Sequence, residues 1–182
     1  MLRVIAGKYR SRKLKDVKSD LTRPTTDKNK EALFNMIGQF FDGGRCLDLF
    51  AGSGALGIEA LSRGFDGCDF VDINHQAIQV IKENIIALKI EEHHQIYKTD
   101  GLQFLKSVNQ SYDLILIDPP YKLGIHQDIL TLISSRQLLS KHGIIVMESD
   151  AKTIIQEQLD LVILKERVLG QSKLVILGRN ES

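Results

Sequence analysis

A run of small residues follows a short apolar segment in this sequence. Residues 46–50, CLDLF, lead directly into residues 51–57, AGSGALG, and a stretch with helical spacing begins there. This is a GxGxxG pattern between a predicted strand and a predicted helix, where glycines let the backbone approach a ligand closely. The N-terminus of the helix offers free N–H groups to a polar or anionic group. The pattern therefore predicts a cofactor-binding turn that uses Ala51, Gly52, Ser53 and Gly54.

Two acidic residues come at the ends of the next two predicted strands. Asp72 lies twenty residues after Gly52, where an acid can bind ribose hydroxyls. Asp100 follows the third strand and can accept a hydrogen bond from an adenine amino group, or cap the helix that begins near Gly101. Both roles are compatible. We expect Asp72, Ile73, Asp100 and Gly101 to contact a cofactor that contains a nucleoside.

Asp48 distinguishes between cofactors that contain a nucleoside. It precedes Gly52 by four residues, and its carboxylate would face the pyrophosphate of a dinucleotide unfavourably. The same carboxylate can accept a hydrogen bond, directly or through water, from the ammonium group of an amino-acid moiety. This favours S-adenosylmethionine. The alternative is that Asp48 caps N–H groups of the loop itself.

The residues Asp118, Pro119, Pro120 and Tyr121 follow the apolar run at residues 114–117. Two prolines fix an extended turn and remove N–H donors, so that carbonyl groups are left to face the crevice. Asp118 and the Pro119 carbonyl are then two acceptors for the hydrogens of one exocyclic amine, and Tyr121 offers a flat face to a base. We expect this turn to hold an aromatic amine for methyl transfer.

The elements that must position these residues alternate along the chain. Strands are predicted at residues 46–50, 67–72, 95–98, 114–118 and 144–148, and helices at residues 56–63, 75–88, 101–108, 125–134 and 151–159. A further helix is predicted from about residue 27 to about residue 41, after possible N-capping residues at 25–27. This alternation predicts an α/β fold, a mostly parallel sheet with helices on both faces. Residues 161–167 and 173–177 are predicted to form a closing antiparallel hairpin.

Basic residues are concentrated at the start of the chain. Residues 1–30 contain ten basic and three acidic residues, a net charge of +7, whereas residues 31–182 contain 14 basic and 20 acidic residues, a net charge of −6. Alternation at residues 2–6 and 12–14 predicts a short hairpin with a basic polar side. Such a segment can dock a polyanion, although a solvated basic edge is the alternative. The residues expected to contact a nucleic acid are Arg3, Lys8, Arg10, Arg12, Lys13, Arg23 and Lys28.

Composition excludes several classes of protein. The 182 residues, 43% hydrophobic, are enough for one soluble domain with its own core, here a basic appendage at residues 1–30 and a catalytic core at residues 31–182. We expect a cytoplasmic protein, because the sequence has neither an apolar run of about 18 residues nor a signal peptide. Cys46 and Cys68 are expected to be reduced core thiols, and no metal site is indicated. The histidines are expected to be surface or capping residues.

The sequence resembles a known family along nearly its whole length. The matching segments are RVIAGKYRSRKL at residues 3–14, RPTTDKNKEALFN at residues 23–35, LDLFAGSGALGIEALSRG at residues 47–64 and DLILIDPPY at residues 113–121. Together they resemble the bacterial 16S ribosomal RNA guanine-N2 methyltransferases of the RsmD type. The two N-terminal segments are the specific ones, because the glycine loop and DPPY alone indicate only an amino-methylating enzyme.

The resemblance implies a class I S-adenosylmethionine-dependent methyltransferase fold (Rossmann-like) with a seven-stranded sheet. It also implies S-adenosylmethionine as donor and a guanine of 16S rRNA, in the small ribosomal subunit or an assembly intermediate, as acceptor. Arg23, Thr25, Thr26 and Asp27 would close over the cofactor and approach the RNA. The chain departs from the family at Lys28 and Lys30, where arginine is usual, and at Asp72, where glutamate is common. Lysine lacks the bidentate phosphate geometry of arginine.

Three other functions fit parts of the sequence. A DNA adenine-N6 or protein glutamine-N5 methyltransferase would also present an amine to a DPPY turn, although no separate base-recognition domain is evident for DNA. A nicotinamide dehydrogenase fits GxGxxG and Asp72 but leaves DPPY and Asp48 unexplained. A catalytically inactive methyltransferase fold that acts in assembly would not need both motifs. We expect a monomer with no membrane partner.

Overall fold

The computed structural model describes residues 2–18, 26–120, 124–158 and 160–180. Strands and helices alternate from β3 to β7 in these ranges, as the sequence predicts. The strands are β1 (Leu2–Arg3), β2 (Lys13–Leu14), β3 (Arg45–Leu49), β4 (Gly67–Asp72), β5 (His93–Lys98), β6 (Tyr112–Ile117), β7 (Leu139–Asp150), β8 (Leu161–Leu169) and β9 (Ser172–Arg179). The helices are α1 (Asp27–Ile37), α2 (Ala55–Ser62), α3 (His75–Leu88), α4 (Gly101–Ser107) and α5 (His126–Ser135).

Seven of the described strands form one sheet in the order β5-β4-β3-β6-β7-β9-β8. The strands from β5 to β7 are parallel, and β9 pairs antiparallel with both β7 and β8. The expected α/β architecture with its antiparallel C-terminal hairpin is therefore confirmed. From β3 the chain builds the sheet first toward one side, through β4 and β5, and then toward the other side, through β6 and β7. Open parallel sheets bind ligands where the strand order reverses in this way, here between β3 and β6.

Helices cover both faces of the sheet because its central strands are apolar on both faces. Cys46 in β3 belongs to the core beneath α1, α2 and α3, whereas its neighbour Leu47 belongs to the core beneath α4 and α5. The period of two along β3 consequently turns Asp48 toward α2. Cys46 and Cys68 are buried free thiols, as expected.

The first helix is shorter than predicted. α1 ends at Ile37, because Gly38 takes a φ of +131° and the Phe41 amide donates to the Arg63 carbonyl at 2.8 Å. The apolar residues Phe40 and Phe41 continue the helical spacing in the sequence, but Phe41 packs against Phe65 with ring centroids 4.7 Å apart. This tertiary contact replaces the last predicted turn.

The predicted helix at residues 151–159 is wrong for the described residues 151–158. The Lys152 amide donates to the Asp150 carboxylate at 2.9 Å, which forms a turn, and the Gln156 amide donates to the Gln127 side chain at 3.1 Å. The backbone thus finds partners outside the segment, and Ile155 is buried against the α4 and α5 side of the sheet. The strand before it, β7, is also longer than the predicted residues 144–148.

The N-terminal hairpin is attached to α2 by a buried carboxylate. Glu59 is fully buried, and its two oxygens accept from the amides of Ile5 at 2.9 Å and Ala6 at 3.1 Å. The same carboxylate contacts the Lys30 ammonium of α1 at 3.2 Å and the Arg63 guanidinium at 2.8 Å. One side chain therefore joins the hairpin, α1 and α2. No helix in the described part of the chain is long and apolar enough to cross a membrane.

Candidate active site

The described residues of the glycine loop and the acids Asp72, Asp100 and Asp118 lie at the carboxyl ends of the parallel strands. Leu49 pairs with Ile117, so Phe50 and Asp118 leave neighbouring strands side by side. The Thr99 amide donates to the Asp72 carbonyl at 3.1 Å, which brings the end of β5 to the end of β4. The glycine loop, Asp72, Asp100 and Asp118 therefore lie near one another at the edge of the sheet where α/β folds bind ligands.

The glycine loop has a backbone that suits close contact with a ligand. Gly52 has a φ of +57° and Gly54 a φ of +80°. The Gly52 amide donates to the Asp72 carboxylate at 2.9 Å, and the Ala51 amide donates to the Val71 carbonyl at 2.9 Å. A Cβ at Gly52 would meet no atom within 4 Å. The side of Gly52 that a side chain would occupy thus faces open space, which fits a cofactor.

Asp48 lies beneath this loop and caps α2 from the sheet. Gly54, the N-cap residue, has no side chain to accept from the first turn, and Asp48 Oδ2 accepts from the Gly57 amide at 2.9 Å. A Cβ at Gly57 would lie 2.5 Å from the Phe70 ring, so glycine is what allows α2 to lie this close to the sheet. Asp48 is 2% exposed, and burial raises its pKa to about 8, against the opposing effect of the Gly57 hydrogen bond. Asp48 thus accepts from a local N–H group, as in the alternative that the sequence analysis left open. Its contact with an ammonium group stays a prediction.

Asp72 and Asp100 both have local hydrogen bonds and partly exposed side chains. Asp72 accepts from the Gly52 amide through one oxygen and from the Asn74 amide, at 2.8 Å, through the other. Asp100 is the N-cap of α4 and accepts from the Gln103 amide at 3.2 Å. Each carboxylate oxygen can accept a second hydrogen bond. Ile73 is 66% exposed beside Asp72, an apolar surface at the crevice.

The proline turn begins at the carboxyl end of β6. Asp118 is partly buried, Pro119 is buried and Pro120 is exposed, while Tyr121 lies outside the described residues. His126, expected to be a surface or capping residue, is instead 4% exposed. Its Nε2 donates to the Glu148 carbonyl at 3.1 Å, and burial lowers its pKa against the effect of that hydrogen bond. A neutral imidazole therefore connects the start of α5 with the end of β7.

The basic residues of the N-terminal segment differ in how they are engaged. Lys30 is fully buried against Glu59, so it is not available to RNA. Arg3 contacts Asp27 at 3.3 Å, and Lys8 contacts Glu91 at 2.9 Å, pairs on the surface that contribute little to stability. Three further predicted RNA-binding residues, Arg10, Lys13 and Lys28, are exposed. Arg23 lies outside the described residues. Arg12 is exposed and donates to the Ala87 carbonyl at 2.9 Å.

Thr26 begins α1, and Thr25 lies outside the described residues. The Thr26 hydroxyl accepts from the Asn29 amide at 3.1 Å. α1 runs alongside α2 in the same direction, because Lys30 meets Glu59 and the Phe34 ring meets the Arg63 guanidinium at 4.6 Å. Thr26 therefore lies toward the same edge of the fold as Gly54.

Asn84 in α3 is a polar residue at the site that the sequence analysis missed. It is 2% exposed and donates to the Ser53 carbonyl of the glycine loop at 3.0 Å. It stands within a helix, 31 residues from Ser53, and nothing in the local pattern distinguishes it from a surface asparagine. Among the described residues no group of acids, histidines and cysteines could hold a metal ion.

Comparison with known proteins agrees with this geometry. A family model described as "Conserved hypothetical protein 95" matches residues 2–178. YlbH of Bacillus subtilis, provisionally named an rRNA methyltransferase, is 46% identical over 96% of this chain and 97% of its own length. The ribosomal RNA small subunit methyltransferase D of Escherichia coli is 32% identical over 83% of this chain and 76% of its own.

A solved structure extends the agreement to three dimensions. The yhhF protein of Escherichia coli, provisionally described as a methyltransferase, superposes with a TM-score of 0.89 and 28% identity over 100% of this chain and 99% of its own. Its fold and the topology above are those of class I methyltransferases. This chain therefore belongs to the "Conserved hypothetical protein 95" family, which includes the ribosomal RNA small subunit methyltransferases D.

Proposed function

We propose that this protein methylates the exocyclic N2 amine of a guanine in 16S rRNA, with S-adenosylmethionine as donor. The observation that carries the proposal is the position of the Asp118-Pro119-Pro120 turn, which leaves β6 beside the glycine loop that leaves β3. The names of relatives such as the ribosomal RNA small subunit methyltransferase D of Escherichia coli support the rRNA substrate. The proposed enzyme is an rRNA (guanine-N2-)-methyltransferase.

The glycine loop and the acids fit S-adenosylmethionine. In the proposed complex Gly52, Ser53 and Gly54 contact its amino-acid part, Asp72 its ribose and Asp100 its adenine. The open space over Gly52 and the free accepting capacity of Asp72 support this assignment. The bound cofactor supplies an electrophilic methyl group on a sulfonium.

The residues of the proline turn prepare the amine. An aromatic amine delocalises its lone pair into the ring, so it is a poor nucleophile until its nitrogen is held out of conjugation. Asp118 and the Pro119 carbonyl accept hydrogen bonds from the two N–H groups of the amine. They hold the nitrogen with its lone pair toward the methyl group of S-adenosylmethionine. Orientation and electrostatics of this kind account for several kcal/mol of a barrier, on the order of 7 kcal/mol for a well-oriented pair. The methylated nitrogen is cationic and loses its proton readily.

The basic segment is proposed to bind the RNA backbone while the target guanine turns out of the RNA into the site. Enzymes that act on a base must expose it in this way. Arg10, Lys13 and Lys28 are exposed at the described surface, as phosphate contacts require. The partner is 16S rRNA in the small ribosomal subunit or an assembly intermediate, and the protein is proposed to act as a monomer.

Methyl transfer from labelled S-adenosylmethionine tests the function directly. Unmethylated small ribosomal subunits, naked 16S rRNA and duplex DNA are incubated in parallel and digested to nucleosides. Label in N2-methylguanosine from subunits or rRNA is the expected result, and the more active substrate identifies the assembly state that is recognised. Label only in methyladenine from DNA would keep the site and overturn the substrate. An absence of label from every substrate would contradict the enzyme assignment.

A variant of the turn tests the chemistry separately. Asp118→Ala removes one of the two acceptors for the amine but leaves the glycine loop intact. We expect the rate of methyl transfer to fall at least about a hundredfold, as when one preorganised group is removed, while the dissociation constant for S-adenosylmethionine stays within about twofold. A rate near that of the wild type would show that Asp118 does not hold the amine.

A further inference from the structure

Asn84 has all its hydrogen-bonding groups engaged by two distant segments. Its Oδ1 accepts from the Lys15 amide at 2.8 Å, and its Nδ2 donates to the Lys15 carbonyl at 3.0 Å. The second hydrogen of Nδ2 goes to the Ser53 carbonyl at 3.0 Å. Lys15 is one residue beyond β2, in the basic segment, and Ser53 is in the glycine loop. One side-chain amide therefore joins the segment proposed to bind RNA with the loop proposed to bind the cofactor.

The burial of Asn84 makes this connection energetically significant. The side chain is 2% exposed, so water cannot easily replace a lost partner. A buried polar group without a partner costs about 1–3 kcal/mol. Any shift of the Lys15 backbone away from Asn84 thus disturbs the hydrogen bond to Ser53, and a disordered glycine loop releases the amide that holds Lys15.

Other contacts keep the basic segment against α3 around the same position. The Lys15 ammonium contacts the Glu83 carboxylate at 2.7 Å, and the Arg12 guanidinium donates to the Ala87 carbonyl at 2.9 Å. Both partners lie within one turn of Asn84 on α3. Lys15 is exposed, and a surface ion pair of this kind exchanges readily for another anion. A phosphate that binds these cations therefore acts on the backbone that Asn84 holds.

We propose that Asn84 is a positioning residue through which RNA on the basic segment and cofactor on the glycine loop strengthen each other's binding. The proposal rests on the proposed function, since it needs both ligands. It acts through the order of two backbone segments rather than through contact with either ligand. Linkage makes the effect reciprocal, so cofactor binding must tighten RNA binding by the same factor.

Binding of S-adenosylhomocysteine, which has no methyl group to transfer, measures this coupling. Its dissociation constant is determined by calorimetry with and without a saturating unmethylated 16S rRNA transcript. For the wild type we expect the RNA to lower the dissociation constant at least about fivefold, the lower end of typical coupling. Asn84→Leu keeps the size but removes all three hydrogen bonds, and the ratio should fall below about twofold.

Gln110→Leu is the matched control. Gln110 donates to Asp69 at 2.9 Å from just before β6, at the opposite edge of the sheet from the glycine loop. Like Asn84→Leu, the Gln110→Leu substitution replaces a hydrogen-bonded amide by an apolar side chain. A general loss of stability would therefore affect both variants. The control should keep the ratio of the wild type. A wild type without coupling, or an Asn84→Leu variant that keeps the full ratio, would overturn the proposal.

Hydrogen exchange of the wild-type protein tests the connection without a variant. Binding of S-adenosylhomocysteine alone should slow exchange at amides 12–18, although these residues are not proposed to touch the cofactor. Unchanged exchange there would overturn the proposal even if Asn84→Leu failed to fold. Failure of the proposed function has a different signature, since it appears as missing label in N2-methylguanosine.

Discussion

At Gly52 the backbone conformation and the space in front of it have separate consequences. Gly52 has a φ of +57° and Gly170 a φ of +64°, and a Cβ at either would meet nothing within 4 Å. Alanine at either position should cost about 1–2 kcal/mol of unfolding free energy, from strain in the left-handed region alone. Only at Gly52 does the added methyl group enter the proposed cofactor site. We therefore expect Gly52→Ala to weaken S-adenosylmethionine binding at least about tenfold, a cost of 1.4 kcal/mol.

Gly170→Ala, in the turn between β8 and β9, is the control for this prediction. Denaturation in urea should give similar losses for the two variants, and calorimetry should give an unchanged cofactor affinity for Gly170→Ala. Equal cofactor affinity of both variants would mean that nothing binds over Gly52.

Asp48 makes stability depend on pH. Burial raises its pKa in the folded protein to about 8, whereas an unfolded carboxyl group has a pKa of 3.8. Between these values the unfolded state loses the proton and the folded state keeps it, so this group's contribution to stability falls as pH rises. The limiting slope is about 1.4 kcal/mol per pH unit. Well below pH 3.8 both states are protonated, and the penalty is absent.

Asp48→Asn removes this titration and keeps an oxygen that can accept from Gly57. The unfolding free energy of the variant minus that of the wild type should rise from pH 4 to pH 8 and level off above. Urea denaturation of both proteins across this range measures the difference. Parallel profiles would show that Asp48 does not keep its proton in the folded protein.

At the scale of elements, the Glu59 carboxylate holds three of them together. Lys30, Glu59 and Arg63 are all buried, so loss of the acid leaves two buried cations without their counter-ion. Breaking a buried pair from one side typically costs about 3–5 kcal/mol. We expect Glu59→Gln to lose this much unfolding free energy and to make residues 2–18 more susceptible to limited proteolysis.

Glu83→Gln is the matched control for Glu59→Gln. Glu83 contacts Lys15 at 2.7 Å, but its side chain is 50% exposed. A surface pair contributes about 0–1 kcal/mol, so this variant should unfold near the wild-type denaturant concentration. Similar losses in both variants would contradict a special role for the buried carboxylate.

The elements that the sequence predicts well are those fixed by local pattern. Strand, glycine loop and helix at residues 46–63 follow from apolar runs and from glycines that the backbone requires. The structure of residues 151–158 could not be predicted in this way. Their amides donate to the side chains of Asp150 and Gln127 instead of to carbonyls within a helix. The burial of Lys30 and the bonds of Asn84 are equally non-local, since their partners lie in segments distant in sequence. The elements that carry the candidate site could thus be predicted, but not the side chains that support them.

At the scale of the whole molecule, the basic segment is attached to an acidic body. The net charge of +7 in residues 1–30 overstates the free charge, because Lys30 is buried and Lys8 and Lys15 face Glu91 and Glu83. Among the described residues of the segment, the exposed basic side chains other than the ion-paired Arg3, Lys8 and Lys15 are Arg10, Arg12, Lys13, Lys18 and Lys28. The segment passes from Glu59 of α2, which holds Ile5, to Asn84, which holds both Lys15 and Ser53 of the glycine loop, so RNA proposed to bind along it would lie near that loop.

Salt dependence of RNA binding tests this arrangement. Each phosphate contact contributes about 0.7–0.9 to the slope of log affinity against log salt concentration. The double variant Arg10→Glu with Lys13→Glu should therefore reduce the magnitude of that slope by at least about 1.4 and weaken binding of a 16S rRNA transcript. Lys141→Glu with Lys152→Glu changes the net charge equally at exposed positions outside the segment. Equal losses of slope in both double variants would attribute the effect to net charge, whereas a loss confined to the first identifies the segment as the RNA contact.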